Sequence, residues 1–296
     1  MQDVFQRFRS LKQICLIPEE IRDDPWIFSL LTEAKKCGIA ILSLSKSQDY
    51  STVIAQSLIS PDSCLLLTNS VDTFLAVGDL PLAIIGFGDL FLADLSHYGR
   101  QPEILVESFE EIDVQFLDRI MKRAQHLPWI TVVTDRCVLR EITLDDMDDL
   151  FELYAGEGIT DYIEDLYERP KEEAYTRAYI ENMYRFYGYG MWLVTDRKTG
   201  KLIGRAGFSH QDLGDEIVLE MGYLIGKPYQ QQGYATEVCQ KLITFAQENL
   251  DFSCINCFVD PDNAISIHLL EKLAFTKQKA CTIIDGHAML RYIYPL

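Results

Sequence analysis

The sequence predicts an α/β protein of two domains: an N-terminal sandwich around a parallel sheet, and a C-terminal mixed α+β domain. The chain has 296 residues, which is long for a single hydrophobic core. Up to about residue 130, uniformly apolar strand-like runs alternate with helical segments, as in a parallel sheet covered on both faces. Beyond that point the strands are joined by shorter turn signals. We therefore expect domains at residues 1–130 and 131–296.

The N-terminal domain is predicted from short apolar runs bounded by turn residues, which indicate buried strands. The predicted strands are QICLIPEE, IAILSLS, SCLLLTN, LAIIGFGD and PEILVES. The predicted helices are SLLTEAKKCG, STVIAQSLI, VDTFLAVGDL and VQFLDRIMKRAQ. This alternation favours a parallel sheet with helices on both faces.

The C-terminal domain opens on VVTDRCVLREI, predicted as one strand, and continues with two helical segments, TLDDMDDLFELY and KEEAYTRAYIENMYRFY. Strands MWLVTD and LIGRAGFSH follow, joined by the hairpin signal RKTG. Strand EIVLEMGYLI then leads into the amphipathic helix TEVCQKLITFAQENL, whose apolar stripe contains Val238, Leu242, Phe245 and Ala246.

Charge and composition exclude some classes of partner. A net charge of −18 argues against nucleic acid and anionic membranes. No apolar run reaches the roughly 18 residues of a membrane span, and the first ten residues lack the apolar core of a signal peptide. The eight cysteines are expected to be reduced thiols in a cytoplasmic protein. Cys254 and Cys257 form a C-x-x-C inside a strand-like run without a second pair, so we predict no metal site.

The stretch KPYQQQGYATEV, residues 227–238, connects a strand to a helix through a glycine-containing loop. The first N–H groups of a helix have no intrahelical partner, and the helix dipole makes that end favourable for anions. Gly233 and Ala235 add little bulk there. The dinucleotide fingerprint and the P-loop lysine are both absent. From these residues alone, a phosphate site and an ordinary helix start both remain open.

Three segments carry a resemblance to a known family. Gln230-x-x-Gly233-x-Ala235 resembles the Q/R-x-x-G-x-G/A signature of the GNAT acetyltransferases. DPDNAISIHLLEKLAF resembles the second cofactor segment of that family, and VLREITLDDMDDLFELY its first strand and helix. Residues 131–296 have the family's length and element order, ending in a hairpin around Asp285-Gly286. The resemblance is greatest to the branch of ribosomal-protein N-terminal acetyltransferases, and it implies a splayed central sheet.

The resemblance implies acetyl-CoA as co-substrate. The pyrophosphate would contact the loop, and pantetheine would lie along the preceding strand at the backbones of Leu224 and Ile225, with the Ile225 N–H polarising the acetyl carbonyl. Asn263 matches a pantetheine contact, although as a turn residue it would equally cap the next helix, and Ser266 is expected to contact CoA. The implied loop residues are Gln230, Gln231, Gln232, Gly233, Tyr234, Ala235 and Thr236.

Deprotonation of the acceptor amine calls for a general base. A lysine-like amine with a pKa of about 10.4 costs roughly 4.6 kcal/mol to deprotonate at pH 7, and an α-amine only about 1 kcal/mol. Glu220 lies where several members of the family place a glutamate base; the alternative is a solvent-facing strand residue. The position of the family's tyrosine acid is taken by Leu270. His268 is more typical of a structural residue, so the acid stays unassigned.

Acidic residues dominate residues 141–168, where no Lys or Arg occurs. In the resembled family this region overlooks the acceptor, so Asp161, Glu164 and Asp165 are candidate contacts for a cationic acceptor. The alternative is a solvated acidic surface. The acceptor would be a small molecule or a protein N-terminus, and the sequence does not predict the oligomeric state.

The N-terminal domain loosely resembles the later half of haloacid-dehalogenase-type phosphatases. The early D-x-D nucleophile motif of that family is absent, and Thr68-Asn69 stands where its metal-binding G-D would fall. We therefore expect a degenerate, non-catalytic domain. For the whole chain the sequence predicts an N-acetyltransferase acting by direct attack on the thioester; the alternative is a non-catalytic acetyl-CoA-binding sensor.

Overall fold

The computed structural model describes residues 10–296 except 23, 47, 91–94, 96, 98, 215 and 285, and at 280 and 281 it describes the backbone alone. The chain folds as two compact units, Met1–Trp129 and Ile130–Leu296. None of the helices in the described residues combines the length and the apolar character needed to cross a bilayer.

The first unit contains a five-stranded sheet in the order β2-β1-β3-β4-β5, with every neighbouring pair parallel. Its strands are β1 (Gln13–Leu16), β2 (Ala40–Ser43), β3 (Cys64–Thr68), β4 (Ala83–Phe87) and β5 (Ile104–Val106). Its helices are α1 (Pro25–Lys36), α2 (Tyr50–Ala55), α3 (Val71–Ala76) and α4 (Val114–Ala124). β1, β3 and β4 are buried along their whole length, which explains their uniformly apolar sequences and confirms the predicted parallel sheet.

The carboxyl end of β3 holds the Thr68-Asn69 pair. Thr68 donates a hydrogen bond of 2.7 Å to the buried carboxylate of Glu20, and Thr73 donates one of 2.5 Å to its other oxygen. The Asn69 amide donates to the Glu20 carbonyl at 3.0 Å. Both carboxylate oxygens of Glu20 are therefore engaged within the fold. The haloacid-dehalogenase resemblance stays a prediction.

The second unit contains an eight-stranded mixed sheet in the order β12-β13-β11-β10-β9-β8-β7-β6. Its strands are β6 (Ile130–Val133), β7 (Cys137–Arg140), β8 (Met191–Asp196), β9 (Leu202–Asp212), β10 (Ile217–Ile225), β11 (Cys254–Val259), β12 (Thr276–Ile284) and β13 (His287–Pro295). Its helices are α5 (Met147–Tyr154), α6 (Arg169–Tyr179), which continues through a π-turn (Ile180–Tyr184) and a final turn (Arg185–Tyr187), α7 (Tyr234–Asn249) and α8 (Ala264–Lys272). The predicted last hairpin joins β12 to β13; Asp285 in its turn lies outside the described residues.

The stretch VVTDRCVLREI is a hairpin, and its prediction as a single strand is wrong. β6 and β7 pair antiparallel, and the Thr134 N–H donates to the Cys137 carbonyl across the turn at 2.9 Å. The Thr134 hydroxyl also accepts from the Cys137 N–H at 2.8 Å. This turn contains neither Gly nor Pro, so the sequence carries none of the usual breaker signals.

α7 packs its apolar stripe on the sheet and thereby fixes the position of its own N-terminus. Val238, Leu242 and Ala246 are buried, as the helical periodicity predicts. The Phe245 ring lies 5.1 Å from the Trp192 ring, centroid to centroid. Since β10 leads directly towards α7, this packing holds the intervening loop at the carboxyl end of β10.

Candidate active site

A gap opens between the parallel strands β10 and β11. Within the described residues these strands pair at a single position, Glu220 opposite Asn256, whereas β10 and β9 pair continuously from Ile217 to Ile225. β10 and β11 therefore separate beyond Glu220, towards their carboxyl ends. This is the splayed sheet that the sequence resemblance implies.

Side chains hold the closed end of the gap together. Asn256 is wholly buried; its amide donates to the Leu219 carbonyl at 3.2 Å, and its oxygen accepts from Arg291 Nε at 2.8 Å. The Cys257 thiol donates to the Met221 carbonyl at 3.3 Å. These bonds join β10 to β11 where regular backbone pairing stops. Sequence reasoning missed Asn256, although a lone amide in an apolar strand was a signal.

Along β10, the backbone N–H groups of successive residues point alternately towards β9 and into the gap. The Gly226 N–H donates to the Ile203 carbonyl on the β9 side at 2.8 Å. Because successive residues of a strand direct their N–H groups to opposite sides, Leu224 also points towards β9, and Tyr223 and Ile225 point into the gap. The predicted orientation of Ile225 is consistent with this arrangement. The prediction for the Leu224 backbone is corrected, since its polar groups belong to the ladder with β9.

The loop entering α7 has the backbone of an anion site. Gln231 (φ 58°) and Gly233 (φ 81°) both adopt left-handed conformations around Gln232. Such alternation turns neighbouring N–H groups towards a common point. Gly233 is the N-cap residue, and no side chain in the described part of the chain caps the helix. The N–H groups at Tyr234 and the following Ala235 and Thr236 thus begin a helix whose N-terminus is open to a ligand.

Two glutamines of the loop have a structural role. Gln230 Nε2 donates to the Ile225 carbonyl at 2.9 Å, and Gln232 Nε2 donates to the Pro228 carbonyl at 2.7 Å. These bonds fold the loop back onto the end of β10. The side chains of Gln230 and Gln232 therefore shape the loop.

A third contact to the loop comes from Arg136, in the turn between β6 and β7. Arg136 Nε lies 2.6 Å from the Glu237 carboxylate, and Nη1 donates to the Gln232 carbonyl at 3.0 Å. The guanidinium carbon lies 4.1 Å from the centroid of the Tyr234 ring. Sequence reasoning missed Arg136, because the turn that presents it was interpreted as part of a strand.

Glu220 lies at the closed end of the gap. Burial raises the pKa of its carboxyl to about 7, and a hydrogen bond from the Ser209 hydroxyl opposes part of that shift. A pKa near neutrality lets the group accept and release a proton at physiological pH. The solvent-facing alternative is therefore disfavoured: Glu220 is only partly exposed, and its pKa is that of a desolvated acid.

Tyr223 crosses from β10 towards the first turn of α8. Its hydroxyl lies 3.4 Å from the Ser266 carbonyl, and burial raises its pKa, so the hydroxyl keeps its proton at physiological pH. Asn263 caps α8 by accepting from the Ser266 N–H at 3.1 Å, which is the capping role considered for it. Leu270 is wholly buried in the core. Strand alternation places the side chains of Tyr223 and Glu220 on opposite faces of β10.

The acidic run of residues 141–168 divides into two parts. Glu141 and Asp146 are buried, and Asp146 pairs with Arg140 at 2.5 Å. Asp161, Glu164 and Asp165 are exposed in the loop between α5 and α6. That loop touches the entrance of α8, since the Tyr162 hydroxyl donates to the Asp262 carbonyl at 3.2 Å. Among the described residues no contact joins the three exposed carboxylates to Glu220.

A separate cavity of about 170 Å³ lies between α5, the start of β9 and the segment Gly226–Tyr229. Its lining contains charges of both signs, including Glu152 and Lys201, which lie 3.6 Å apart. Neither Glu220 nor Gly233 lines it. The cavity therefore shares the start of the β10–α7 connection, whereas Glu220 and Gly233 lie outside its lining.

The C-terminal half of the chain is similar to known proteins. Residues 136–276 match the family model described as "Acetyltransferase (GNAT) domain". An uncharacterized N-acetyltransferase of Bacillus licheniformis, p20, is 29% identical over 149 residues, which cover 50% of this chain and 83% of p20. An acetyltransferase structure from Agrobacterium tumefaciens is 25% identical with a TM-score of 0.48, covering 56% of this chain and 94% of that one. A structure of RimL, a ribosomal L7/L12 alpha-N-protein acetyltransferase in complex with coenzyme A, is 17% identical with a TM-score of 0.49, covering 57% of this chain and 98% of RimL. The match to the family model shows that the C-terminal half of this chain contains a GNAT acetyltransferase domain.

Proposed function

We propose that the second unit transfers an acetyl group from acetyl-CoA to a primary amine by direct attack on the thioester. The observation that carries the proposal is the order of three parts along β10. Glu220 lies at the closed end of the gap, strand N–H groups that the β9 ladder does not use face the gap, and the helix N-terminus beyond β10 has no side-chain cap among the described residues. The three parts match the three needs of the reaction, which are proton removal, thioester alignment and phosphate binding.

The cofactor would lie with its pantetheine arm along β10 and its diphosphate on the N–H groups of Gln231 to Thr236. The Ile225 N–H would donate to the acetyl oxygen as negative charge develops on it. A preorganised backbone donor costs no reorganisation during the reaction. Ser266, at the start of α8, would lie beside the pantetheine arm.

Glu220 would act as the general base, directly or through a water molecule. With a pKa of about 7, a large fraction of the molecules carries the charged carboxylate at physiological pH. Attack by the neutral amine then forms the new C–N bond, and the amine proton passes to Glu220. Expulsion of the CoA thiolate completes the transfer without a covalent enzyme intermediate.

Tyr223 is our candidate for the acid that protonates the departing thiolate. Its hydroxyl bridges from β10 to the Ser266 carbonyl, beside the proposed path of the pantetheine arm. The family's usual acid position is filled by a buried leucine, Leu270. Because Glu220 and Tyr223 lie on opposite faces of β10, one could take the amine proton while the other supplies a proton to sulfur.

The acceptor would be an amine that approaches past Asp161, Glu164 and Asp165, either a cationic small molecule or a protein N-terminus. Three exposed carboxylates on one loop favour a positively charged group. The proposed setting is the cytoplasm, where acetyl-CoA is made and thiols stay reduced.

The second candidate function is a sensor that binds acetyl-CoA without turnover, favoured by Leu270 at the position of the family's usual acid. Two measurements separate the functions. Calorimetry with acetyl-CoA tests binding, and release of free thiol with a panel of amines, polyamines, aminoglycosides and peptides tests transfer. Binding with amine-dependent thiol release supports the transferase. Binding with no release from any amine supports the sensor, and absence of binding contradicts both.

A further inference from the structure

The loop proposed to bind the diphosphate has a single cationic side chain, Lys227, which lies at its start and lines the separate cavity beside α5. Residues 228–240 contain neither Lys nor Arg, and Gln230 occupies the position where the family signature also allows Arg. CoA carries a diphosphate and a 3′-phosphate, and the whole chain has a net charge of −18. Backbone N–H groups contribute only partial charges. Beside Gly233, a full positive charge is supplied by a residue from another part of the chain.

Arg136 is brought to the loop from the β6–β7 turn. Glu237 holds its Nε edge at 2.6 Å, and the same carboxylate accepts from the Arg136 backbone N–H at 2.8 Å and from the Thr134 hydroxyl at 2.6 Å. Nη1 is bonded to the Gln232 carbonyl at 3.0 Å, and the guanidinium lies over the Tyr234 ring. The side chain is thus fixed in position from several directions.

The Nη2 amino group of Arg136 remains available. Among the described residues it has no hydrogen-bond partner, and it lies 3.6 Å from the point where a side chain on Gly233 would begin. The side chain is 40% exposed, so a ligand on the loop can reach it. An oriented guanidinium with unused donors beside an uncapped helix N-terminus is suited to a phosphate oxygen.

We propose that Arg136 binds a phosphate of CoA through Nη2 and supplies a cation beside Gly233. This inference rests on the proposed function and adds a binding residue outside the signature. The chemistry recognised is a phosphate oxygen, which either the diphosphate or the 3′-phosphate can provide. Glu237 then has the role of orienting Arg136.

A purely structural role for the Arg136–Glu237 pair makes a different prediction. If Arg136 only neutralised Glu237, then Arg136→Gln would weaken CoA binding by leaving an unbalanced carboxylate in the first turn of α7. Removing both charges would then restore binding. If Arg136 contacts phosphate, the double variant R136Q/E237Q stays weak, because the donor is still missing. The double variant therefore separates the two roles.

The experiment is calorimetry of the full-length protein with CoA and with dephospho-CoA, at low and high salt. We expect R136Q and R136Q/E237Q each to weaken CoA binding at least tenfold and to reduce its salt dependence. Equal losses with both ligands place Nη2 at the diphosphate, and a loss with CoA alone places it at the 3′-phosphate. Arg197→Gln is the matched control. Arg197 lies in the neighbouring β8–β9 turn and donates to the Thr134 carbonyl at 3.4 Å. This variant removes a nearby charge for which the described residues show no hydrogen bond to the loop.

Wild-type affinity in R136Q, with the melting temperature unchanged, would overturn the inference. Recovery of binding in the double variant, or an equal loss in Arg197→Gln, would overturn it as well. Failure of the wild-type protein to bind CoA is a distinguishable result, because it contradicts the proposed function itself.

Discussion

At the scale of a single residue, the burial of Glu220 has opposing effects on activity and on stability. Its neighbours withdraw it from water, which raises its pKa to about 7 and suits it to proton transfer. The same burial makes the charged form costly to the fold. Activity and stability should therefore respond to pH in opposite directions at this position.

We predict that Glu220→Gln lowers kcat about 10²-fold with a high-pKa amine and leaves the acetyl-CoA Kd nearly unchanged. In the wild type, kcat should fall as the pH drops through about 7, because protonated Glu220 cannot accept a proton. The variant should lose this limb of the pH–rate profile. An α-amine acceptor should show a smaller loss, since less of it needs deprotonation. Wild-type kcat on a high-pKa amine would remove Glu220 from the mechanism.

The same substitution tests the pKa through stability. The folded-state pKa is raised above the unfolded value, so the stabilisation is fully present below the unfolded pKa and is lost as pH rises through about 7. The loss is on the order of 3 kcal/mol for a shift of this size. The melting temperature of Glu220→Gln minus that of the wild type should therefore be larger at pH 8 than at pH 5. A difference in melting temperature that stays constant with pH would contradict the raised pKa.

For Tyr223 we expect Tyr223→Phe to lower kcat by roughly 10- to 100-fold, because the thiolate loses its proton donor. The Kd for acetyl-CoA should change little. Tyr292→Phe is a suitable control, since it removes another buried hydroxyl, bonded to Glu271 at 3.5 Å, outside the gap. If both variants lose activity equally, or neither does, Tyr223 is not the acid.

The loop and the helix it enters are the functional unit at the scale of elements. Gly233 ends the loop at φ 81°, where a side chain is strained, and its N-cap position leaves the first turn of α7 open. Gln230 and Gln232 hold this shape through carbonyls of the preceding segment. The element therefore presents a site through its backbone.

We predict that Gly233→Glu weakens acetyl-CoA binding at least 100-fold, because a carboxylate would stand at the anion site and compete for Arg136. Gly233→Ala separates charge from strain. It adds only a contact of 3.6 Å to Arg136 and a conformational cost of about 1–2 kcal/mol. Gly200→Ala, at φ 72° in the β8–β9 turn with nothing within 4 Å, is the matched control for strain. Unchanged affinity in a folded Gly233→Glu variant would contradict the site assignment.

At the scale of the whole molecule, the charges of the second unit are distributed unevenly, and this distribution bears on where each ligand would bind. Arg136 lies beside the loop proposed for the phosphates, whereas Asp161, Glu164 and Asp165 are exposed on the α5–α6 loop. With a screening length of about 8 Å at physiological salt, each group should act on its own ligand. The cofactor and a cationic acceptor would then be attracted to different regions of the surface.

Neutralising Asp161, Glu164 and Asp165 together should raise KM for a cationic acceptor several-fold at low salt and leave acetyl-CoA affinity unchanged. The effect should shrink as salt is added. A control with the same change in net charge is available in the first unit, where Glu107, Glu110 and Glu111 are exposed. A triple variant with wild-type KM at low salt, or a control variant with the same rise, would show that the loop is an ordinary solvated surface.

The sequence by itself determined the features that depend on neighbouring residues. The strand, the glycine loop and the amphipathic helix follow one another within residues 217–249, so their order was predicted, while the pattern alone left a phosphate site and an ordinary helix start both open. Strands β1, β3 and β4 of the first unit are buried along their whole length, and their uniformly apolar sequences predict the parallel sheet. The hairpin at residues 130–140 was the exception, because its turn lacks Gly and Pro.

Only the tertiary structure decided which groups meet from distant parts of the chain. Pairing with β9 assigns the Leu224 backbone to the ladder and leaves Ile225 facing the gap. Folding brings Arg136 to Gln232 across 96 positions of sequence, and it buries Glu220 enough to raise its pKa to about 7. The physical reason is that periodicity records which face of an element is buried, whereas desolvation and long-range contacts depend on what covers that face.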